Sequence, residues 1–276
     1  MKQGPIGIFD SGIGGLTVVR EFLRQIPGES VVYFGDTARV PYGSKSPETV
    51  IRFAMEDASF LLSRGVKLLV VACNTACSVS LPALREFSPV PVTGVIQPGA
   101  AAAAARTRNG VVGVIGTQGT IASGAYQKAL RTFGQVRTVL AQPCPLLVPL
   151  VEEGWIDHPA TRAIVSEYVR PLAEAGIDTL VLGCTHYPLL KPVLSELLGP
   201  EVALVDSAET AAEAALSLLE SEDLLAEGGS HGASFFVSDI PIKFQEIAQR
   251  FLGMSIPLVT QVDAADYANP HQPGPS

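Results

Sequence analysis

The sequence contains few charged residues, and few basic residues in particular. Charged residues make up 17% of its 276 residues, and 19 Lys and Arg stand against 27 Asp and Glu, which gives a formal net charge of −8. Nucleic acids and anionic membrane surfaces bind proteins through clustered Lys and Arg. The composition therefore argues against nucleic acid and membrane as partners. It does not argue against a small anionic substrate, because a local site can differ from the whole.

Cysteines are few and long apolar runs are missing. Four cysteines in a chain of this length do not form a disulfide scaffold. No apolar run approaches the roughly 18 residues that a bilayer span needs, since the alanine stretch at 100–105 is followed by Arg106. Residues 1–9 lack the basic and then apolar pattern of a signal peptide. We therefore expect a soluble, cytoplasmic protein with reduced thiols.

Apolar residues, at 47%, are plentiful enough for a sizeable core, and their pattern alternates between strand-like and helix-like segments. Such alternation predicts βαβ units and mainly parallel sheets, and hence an α/β fold. The predicted strands lie at 6–9, 31–34, 68–72, 91–95, 110–115, 179–182, 202–205, 233–238 and 258–262. The predicted helices lie at 49–64, from 80 to 87, and at 119–133, 159–175, 209–220 and 243–252.

The second half of the chain repeats features of the first. Residues 7–15 read G-I-F-D-S-G-I-G-G, and residues 113–119 read G-V-I-G-T-Q-G, so that each apolar strand breaks into a glycine-rich turn. This predicts two similar α/β domains with mainly parallel sheets and the active site at their interface. We expect the first domain to comprise 1–96 and 208–264, the second 97–207, and residues 265–276 to form a disordered tail.

Two cysteines end equivalent apolar runs. Residues 68–75 read L-L-V-V-A-C-N-T and residues 179–186 read T-L-V-L-G-C-T-H. Such runs are typical of buried parallel strands, and ligands of open α/β sheets bind just beyond the carboxyl ends of the strands. Cys73 and Cys184 should therefore both be within reach of a substrate. Two equivalent thiols suit a reaction that removes a proton from one face of a carbon and returns one to the other.

Other polar groups lie close to these thiols in the sequence. His186 follows Cys184 by two residues and could supply the base or cation that a thiolate needs. The turn from Asp10 to Gly15 could bind an anion through its backbone N–H groups. Alternatively, it could be a tight turn that needs glycine only for its backbone conformation. In the first case Asp10 would hold an ammonium group or orient Cys73. Glu152 precedes a glycine turn and is either solvated surface or part of the site.

The sequence carries no fingerprint of a cofactor or metal. In the turn at Gly12 and Gly14, the third glycine position of a dinucleotide-binding motif is taken by Thr17. Nothing marks a lysine as a Schiff-base site. Cys73 and Cys77 form one C-x₃-C pair without the second pair that zinc usually needs. We predict no cofactor and no metal, and we interpret Cys77 and Cys144 as structural.

Five stretches match one family: 7–16, 33–44, 70–76, 94–99 and 182–188. In these stretches the chain resembles the glutamate racemases of the cofactor-independent aspartate/glutamate racemase family. The matches occur in the family's order and cover the first two thirds of the chain. The resemblance implies two α/β domains, glutamate as substrate, no cofactor, a homodimer, and D-glutamate made in a bacterial cytosol for peptidoglycan.

The resemblance also implies roles for single residues. Cys73 and Cys184 would be the bases on opposite faces of the α-carbon, with Cys73 acting on D-glutamate and Cys184 on L-glutamate. Asp10 would assist Cys73, while His186 and Glu152 would assist Cys184. The matches to the family's substrate-binding positions are Ser11, Tyr42, Gly43, Asn74, Thr75 and Thr185, together with Asp10 and His186.

Three other functions are open at this point. An aspartate racemase ranks second, because the patterns at 42–44 and 184–186 look more like the glutamate enzyme. A cysteine-dependent hydrolase would use Cys184 with His186 as its base, but it would leave Cys73 without a purpose. A zinc-binding regulatory module is the third alternative.

Overall fold

The computed structural model describes residues 2–228, 232–240, 244–256, 258–263 and 267. Its strands are β1 Ile6–Asp10, β2 Ser30–Gly35, β3 Leu68–Val71, β4 Val92–Gly94, β5 Val111–Gly116, β6 Thr138–Pro143, β7 Thr179–Gly183, β8 Ala203–Asp206, β9 Gly232–Val237 and β10 Val259–Gln261. They form two sheets, a six-stranded one in the order β10-β9-β2-β1-β3-β4 and a four-stranded one in the order β6-β5-β7-β8. Every pairing is parallel. The prediction of an α/β fold with two parallel sheets is confirmed.

Helices connect and flank the strands. They are α1 Leu16–Gln25, α2 Pro47–Ser63, α3 Asn74–Phe87, α4 Ile96–Arg106, α5 Gln118–Ala122, α6 Ala125–Leu130, α7 Leu147–Glu152, α8 Pro159–Glu174, α9 Lys191–Leu198, α10 Ser207–Ser221 and α11 Phe244–Leu252. Short 3₁₀ turns lie at Thr37–Arg39, Tyr42–Ser44 and Tyr187–Leu190. None of the helices within the described part of the chain has the length and apolar character to cross a bilayer.

The registers of the two sheets bring equivalent strand ends together. β1 pairs with β3, and the N–H of Ala72 donates to the carbonyl of Phe9, so that Asp10 and Cys73 leave neighbouring strands at the same edge. In the other sheet Gly116 of β5 aligns with Gly183 of β7, so that Thr117 and Cys184 do the same. These central strands are buried along their length, which explains their continuous apolar sequences.

Some elements differ from the sequence expectations. The helix expected from residue 80 begins at Asn74, directly after Cys73, which places Cys73 at its N-cap. The helix expected over 119–133 is two helices separated by Gly124, which has a φ of +67°. The turn-like stretch expected at Glu152 is the last turn of α7. Strand β6 was not predicted, because it is a partly exposed edge strand that ends in proline.

The C-terminal elements return to the first sheet, where β9 pairs with β2 and β10 pairs with β9. The domain limits of 1–96 with 208–264, and of 97–207, stay predictions. Within the predicted disordered tail, 265–276, Tyr267 alone falls inside the described residues. Its side chain is buried and packs against Phe34, and the expected disorder of 265–276 stays a prediction. Residues 265, 266 and 268–276 lie outside the described residues.

Candidate active site

A cavity of about 250 Å³ lies where the two sheets face each other, and both thiols line it. Its lining comes from strand ends and loops of both halves: Ser11, Gly12, Val40, Pro41, Tyr42, Gly43, Cys73, Asn74, Thr75, Thr117, Val148, Pro149, Glu152, Cys184, Thr185 and His186. Every site residue predicted from the sequence is in this set except Asp10. The side chain of Asp10 is buried directly behind the cavity wall, where it contacts Gly12 and Thr185.

Cys73 is held at the start of α3, close to the buried Asp10. Its Sγ accepts a hydrogen bond from the N–H of Ala76 and lies 3.5 Å from the Ser11 hydroxyl. Burial, followed by the negative charge of Asp10, raises the pKa of the Cys73 thiol to about 12. The hydrogen bonds from Ala76 and Ser11 oppose this shift without cancelling it. Cys73 is therefore a protonated thiol at neutral pH.

Asp10 connects the two halves at the end of β1. Its carboxylate accepts hydrogen bonds from the N–H of Gly12 at 3.1 Å and from the Thr185 hydroxyl at 3.4 Å. Burial raises the pKa of Asp10, while the positive charge of His186 and these hydrogen bonds lower it in part. Its influence on Cys73 is electrostatic. A cationic group entering the cavity would favour both negative charges.

Two ionisable side chains, His186 and Glu152, form a relay behind Cys184. Its Sγ lies 3.8 Å from Nδ1 of His186, and Nε2 of His186 lies 2.9 Å from Oε1 of Glu152. Burial disfavours the imidazolium, but hydrogen bonds to Cys184 and Glu152 outweigh it and raise the pKa of His186 to about 10. A cationic imidazole beside a thiol favours the thiolate. This arrangement therefore suits a base at Cys184.

Asn74 and Thr75, in the first turn of α3, bond mainly across the junction between the halves. The hydroxyl of Tyr126 donates to Oδ1 of Asn74 at 2.7 Å. The hydroxyl of Thr75 lies 2.8 Å from that of Thr117 and 3.1 Å from that of Thr120. These bonds fix the edge of the cavity that carries Cys73.

Tyr42 lines the cavity, but its hydroxyl points away from it. The hydroxyl oxygen lies 2.5 Å from Oδ2 of Asp36 and 3.0 Å from Oδ2 of Asp57. Arg39 reaches both carboxylates and also contacts Glu56. Burial and the neighbouring Asp36 raise the pKa of Asp57 well above its usual value. Tyr42 therefore offers the cavity its ring face and backbone rather than its hydroxyl.

The loop after Tyr42 approaches the second half closely. A Cβ on Gly43 would lie 2.8 Å from Cβ of Thr117, and one on Gly14 would lie 2.3 Å from the Thr185 hydroxyl. Glycine at these positions lets backbone from the first half touch side chains of the second. Sequence reasoning had placed Gly43 at the site and had used Gly14 as part of a turn.

Several residues of the site were missed from the sequence. Thr117 was not predicted as a cavity residue, although its position directly ahead of α5 was a usable signal. Val148 and Pro149 line the cavity because α7 follows a loop whose path the sequence does not reveal. The carboxylates of Asp36 and Asp57 are apart in the sequence, and only the folded structure shows that both contact the hydroxyl of Tyr42.

The remaining two cysteines are buried, in keeping with a structural role. A Cβ on Gly94 would lie 2.5 Å from Sγ of Cys77, which shows how closely this thiol is packed. Burial raises the pKa of Cys77 to about 11, and burial with the nearby Cys184 raises that of Cys144 to about 12. No group of three or more His, Cys, Asp or Glu side chains suited to a metal ion occurs in the part of the chain that the structure describes.

The fold and the cavity define an α/β protein in which two thiols, at strand ends of two parallel sheets, line one cavity. Comparison with known proteins gives the family. The model of the Asp/Glu/hydantoin racemase family matches residues 6–215. The glutamate racemase of Geobacter metallireducens is 55% identical over 95% of this chain and 97% of its own length. The chain belongs to the Asp/Glu/hydantoin racemase family.

Solved structures agree with this assignment. A glutamate racemase of Bacillus anthracis superimposes with a TM-score of 0.91 at 43% identity, over 95% of this chain and 98% of that one. The glutamate racemase of Francisella tularensis, solved in complex with D-glutamate, gives a TM-score of 0.90 at 36% identity, over 97% of this chain and 100% of that one. The sequence-based resemblance to the aspartate/glutamate racemase family is confirmed.

Proposed function

We propose that this protein interconverts L- and D-glutamate by moving the α-proton between Cys73 and Cys184. The observation that carries the proposal is the placement of the two thiols at equivalent strand ends, on one cavity, with different acid–base partners. The identity to proteins named glutamate racemase supports glutamate as the substrate. A hydrolase built on Cys184 and His186 would leave this placement of Cys73 without a function.

The proton transfer follows from the two environments. From L-glutamate, the Cys184 thiolate takes the α-proton, and its sulfur becomes a neutral thiol. The Cys73 thiol then gives its proton to the opposite face of the carbanion, which yields D-glutamate and leaves Cys73 as a thiolate. Conversion of D-glutamate runs through the same steps in reverse. One thiol must be protonated while the other is ionised, and the unequal surroundings of Cys73 and Cys184 favour that state.

The cavity supplies groups for the charges of an amino acid. Backbone N–H groups at the start of α3 suit a carboxylate, because a helix N-terminus carries partial positive charge. Asp10 suits the ammonium group, whose charge would lower the pKa values of Asp10 and Cys73 together. Hydrogen bonds aimed at the substrate carboxylate stabilise the charge that develops when the α-proton leaves. Ser11 and Thr185 line the cavity, which supports a part for them in binding the substrate.

Acid–base groups alone contribute about 10²–10⁴-fold to such a reaction. Exclusion of water would strengthen every electrostatic interaction in the cavity. We therefore include closure of the two halves over the substrate in the proposal. No electron-withdrawing cofactor is part of the proposed mechanism.

The experiment is to follow L-glutamate by circular dichroism with purified protein, in chelator and without added cofactor. Decay of the signal to zero is the expected result, because enantiomers have equal free energies. In D₂O, D-glutamate should give L-glutamate that carries solvent deuterium at the α-carbon. Activity that appears only after pyridoxal phosphate or a metal is added would refute the thiol mechanism. Equal kcat/KM values for aspartate and glutamate would refute the substrate assignment.

We also propose a setting for this activity. The protein acts in the cytoplasm as a homodimer, and its D-glutamate is built into peptidoglycan. Light scattering of the purified protein tests the dimer. Depletion of the protein in its own host should cause a requirement for D-glutamate, and normal growth without it would contradict this role.

A further inference from the structure

We propose that Arg250 and Phe251 of α11 are positioning residues, which hold Glu152 and His186 in line behind Cys184. This inference rests on the proposed function, because it assigns α11 a part in the acid–base chemistry of that cavity. Neither residue lines the cavity, and neither was singled out from the sequence.

Arg250 binds the C-terminal end of α7, the helix that carries Glu152. Its Nη1 donates to the carbonyl oxygens of Val151 at 3.3 Å and of Glu152 at 3.1 Å. The last carbonyls of a helix lack partners within the helix, and a cation there also interacts favourably with the helix dipole. A guanidinium fixed on these two carbonyls restricts the backbone from which the Glu152 side chain reaches His186.

The chain just beyond α7 is shaped to receive the guanidinium. Gly154 has a φ of +78°, and a Cβ at this position would lie 2.6 Å from Nη2 of Arg250. Glycine thus provides both the backbone conformation and the space. Glu246, one turn earlier on α11, lies 3.2 Å from the same Nη2 and holds the guanidinium from the other side.

Phe251 contacts the other member of the relay. It is fully buried, and its ring meets the imidazole of His186 edge to face, with centroids 5.0 Å apart and an interplanar angle of 83°. Such a contact limits rotation of the imidazole, whose two nitrogens must point at Cys184 and Glu152 at once. Neighbouring residues of one helix therefore support both partners of Cys184.

The contacts of Arg250 and Phe251 connect the elements around the first sheet with those around the second. α11 packs against α1, and it follows β9, which is a strand of the first sheet. Glu152, His186 and Cys184 belong to the chain segments around the second sheet. The alignment of His186 and Glu152 behind Cys184 therefore depends on the relative position of the elements around the two sheets. Closure over a substrate would change that relative position.

Other ionisable groups act on this relay and must be held constant in a test. Asp10 faces His186 from β1. Cys144, Tyr126 and Tyr187 interact electrostatically with Cys184. None of these is altered by a substitution on α11, so a change in the titration of Cys184 can be assigned to the helix.

The test compares Arg250→Met with Gln249→Ala, an exposed neighbour on the same helix. Alkylation of each thiol by iodoacetamide is measured against pH by peptide mass spectrometry, together with kcat/KM for glutamate. We expect Arg250→Met to lower kcat/KM about 10-fold and to move the Cys184 alkylation midpoint upward by at least about half a pH unit. Cys73 should keep its profile, and Gln249→Ala should match the parent protein in every measurement.

A second background shows whether Arg250 acts through Glu152. In a Glu152→Gln protein, Arg250→Met should lower kcat/KM by less than about twofold, because coupled residues are not additive. Equal shifts at both cysteines, no shift at Cys184, or a full further loss in the Glu152→Gln background would overturn the proposal. If Arg250→Met does not fold, Phe251→Leu is measured against the same criteria. Alkylation needs no turnover, so absence of racemisation by the parent protein would refute the proposed function separately.

Discussion

The two thiols of this protein occupy equivalent places in the fold but unequal surroundings. Cys73 has a helix N-terminus, a serine hydroxyl and a buried carboxylate near it, and burial with Asp10 raises its pKa to about 12. Cys184 has an imidazole whose pKa is raised to about 10 through Cys184 and Glu152, against the effect of burial. The parallel topology therefore places two thiols on one cavity, and different side chains surround each of them.

This difference is useful for a reaction between mirror-image substrates. Enantiomers have equal free energies, so kcat/KM must be equal in the two directions for the protein and for each of its variants. An asymmetric site can change only kcat and KM separately, or the exchange of protons with solvent. The comparison between the thiols must therefore be tested through these separate quantities.

The largest expected effect comes from removing either thiol. Cys73→Ser and Cys184→Ser should each reduce racemisation at least about 10²-fold, since a serine hydroxyl is a much weaker acid than a thiol and is scarcely ionised at neutral pH. Polarimetry of glutamate measures the loss, and Cys144→Ala is the control for a buried thiol outside the cavity. Near-normal activity of either serine variant would contradict a mechanism with two thiols.

The second prediction concerns the reactivity of the two thiols when no substrate is added. A raised pKa keeps Cys73 protonated through neutral pH, so iodoacetamide should modify it appreciably only in alkaline solution. Sγ of Cys184 lies 3.8 Å from Nδ1 of His186, whose pKa is raised to about 10, and a neighbouring cation makes a thiol more reactive. Cys184 should therefore be modified faster than Cys73 at pH 7. The ratio of the two modified peptides at pH 7 measures the asymmetry. Faster modification of Cys73 would reverse the roles of the two thiols in the resting protein.

Smaller effects should follow from altering the partners of each thiol. Asp10→Asn should lower kcat for D-glutamate more than kcat for L-glutamate, and His186→Asn should do the opposite. We expect losses of about 10-fold in the affected direction, below the range for removing a positioned acid or base itself. Initial rates from each enantiomer give kcat and KM separately. The opposite bias in both variants would keep the mechanism and exchange the faces on which Cys73 and Cys184 act.

The fold class and most of the residues that line the cavity could be predicted from the sequence, and the reason is physical. Buried parallel strands are continuous apolar runs, and the residues at their ends are adjacent in sequence to the runs, so Cys73 and Cys184 could be found from spacing. The edge strand β6 lacks such a run because part of it is exposed, and it was missed. The contact between Tyr267 and Phe34 could not be predicted, because the two residues lie far apart in the sequence.

Long-range contacts account for what could not be predicted at the site. Nothing near Glu152 in the sequence indicates that Arg250 binds the end of its helix. The hydroxyl of Tyr42 is directed away from the cavity by Asp36 and Asp57, which lie on different elements. Such side-chain directions depend on partners that only the fold brings together.

The smallest expected effect concerns the first half of the cavity, on the side of Cys73. Tyr42→Phe would remove the hydroxyl that contacts two buried carboxylates while keeping the ring that lines the cavity. Leaving these carboxylates with one partner fewer should cost about 1–3 kcal/mol of unfolding free energy, measured by urea denaturation.

The same variant tests what Tyr42 contributes to binding. Because its hydroxyl faces Asp36 and Asp57 rather than the cavity, KM for glutamate should change less than about threefold, which corresponds to the loss of less than one ordinary hydrogen bond. Phe53, whose ring packs against that of Tyr42 and under the guanidinium of Arg39, provides a control for packing, since Phe53→Leu removes no hydrogen-bond donor from Asp36 or Asp57. A large rise in KM with unchanged stability would instead mean that the hydroxyl turns to the substrate when glutamate is bound.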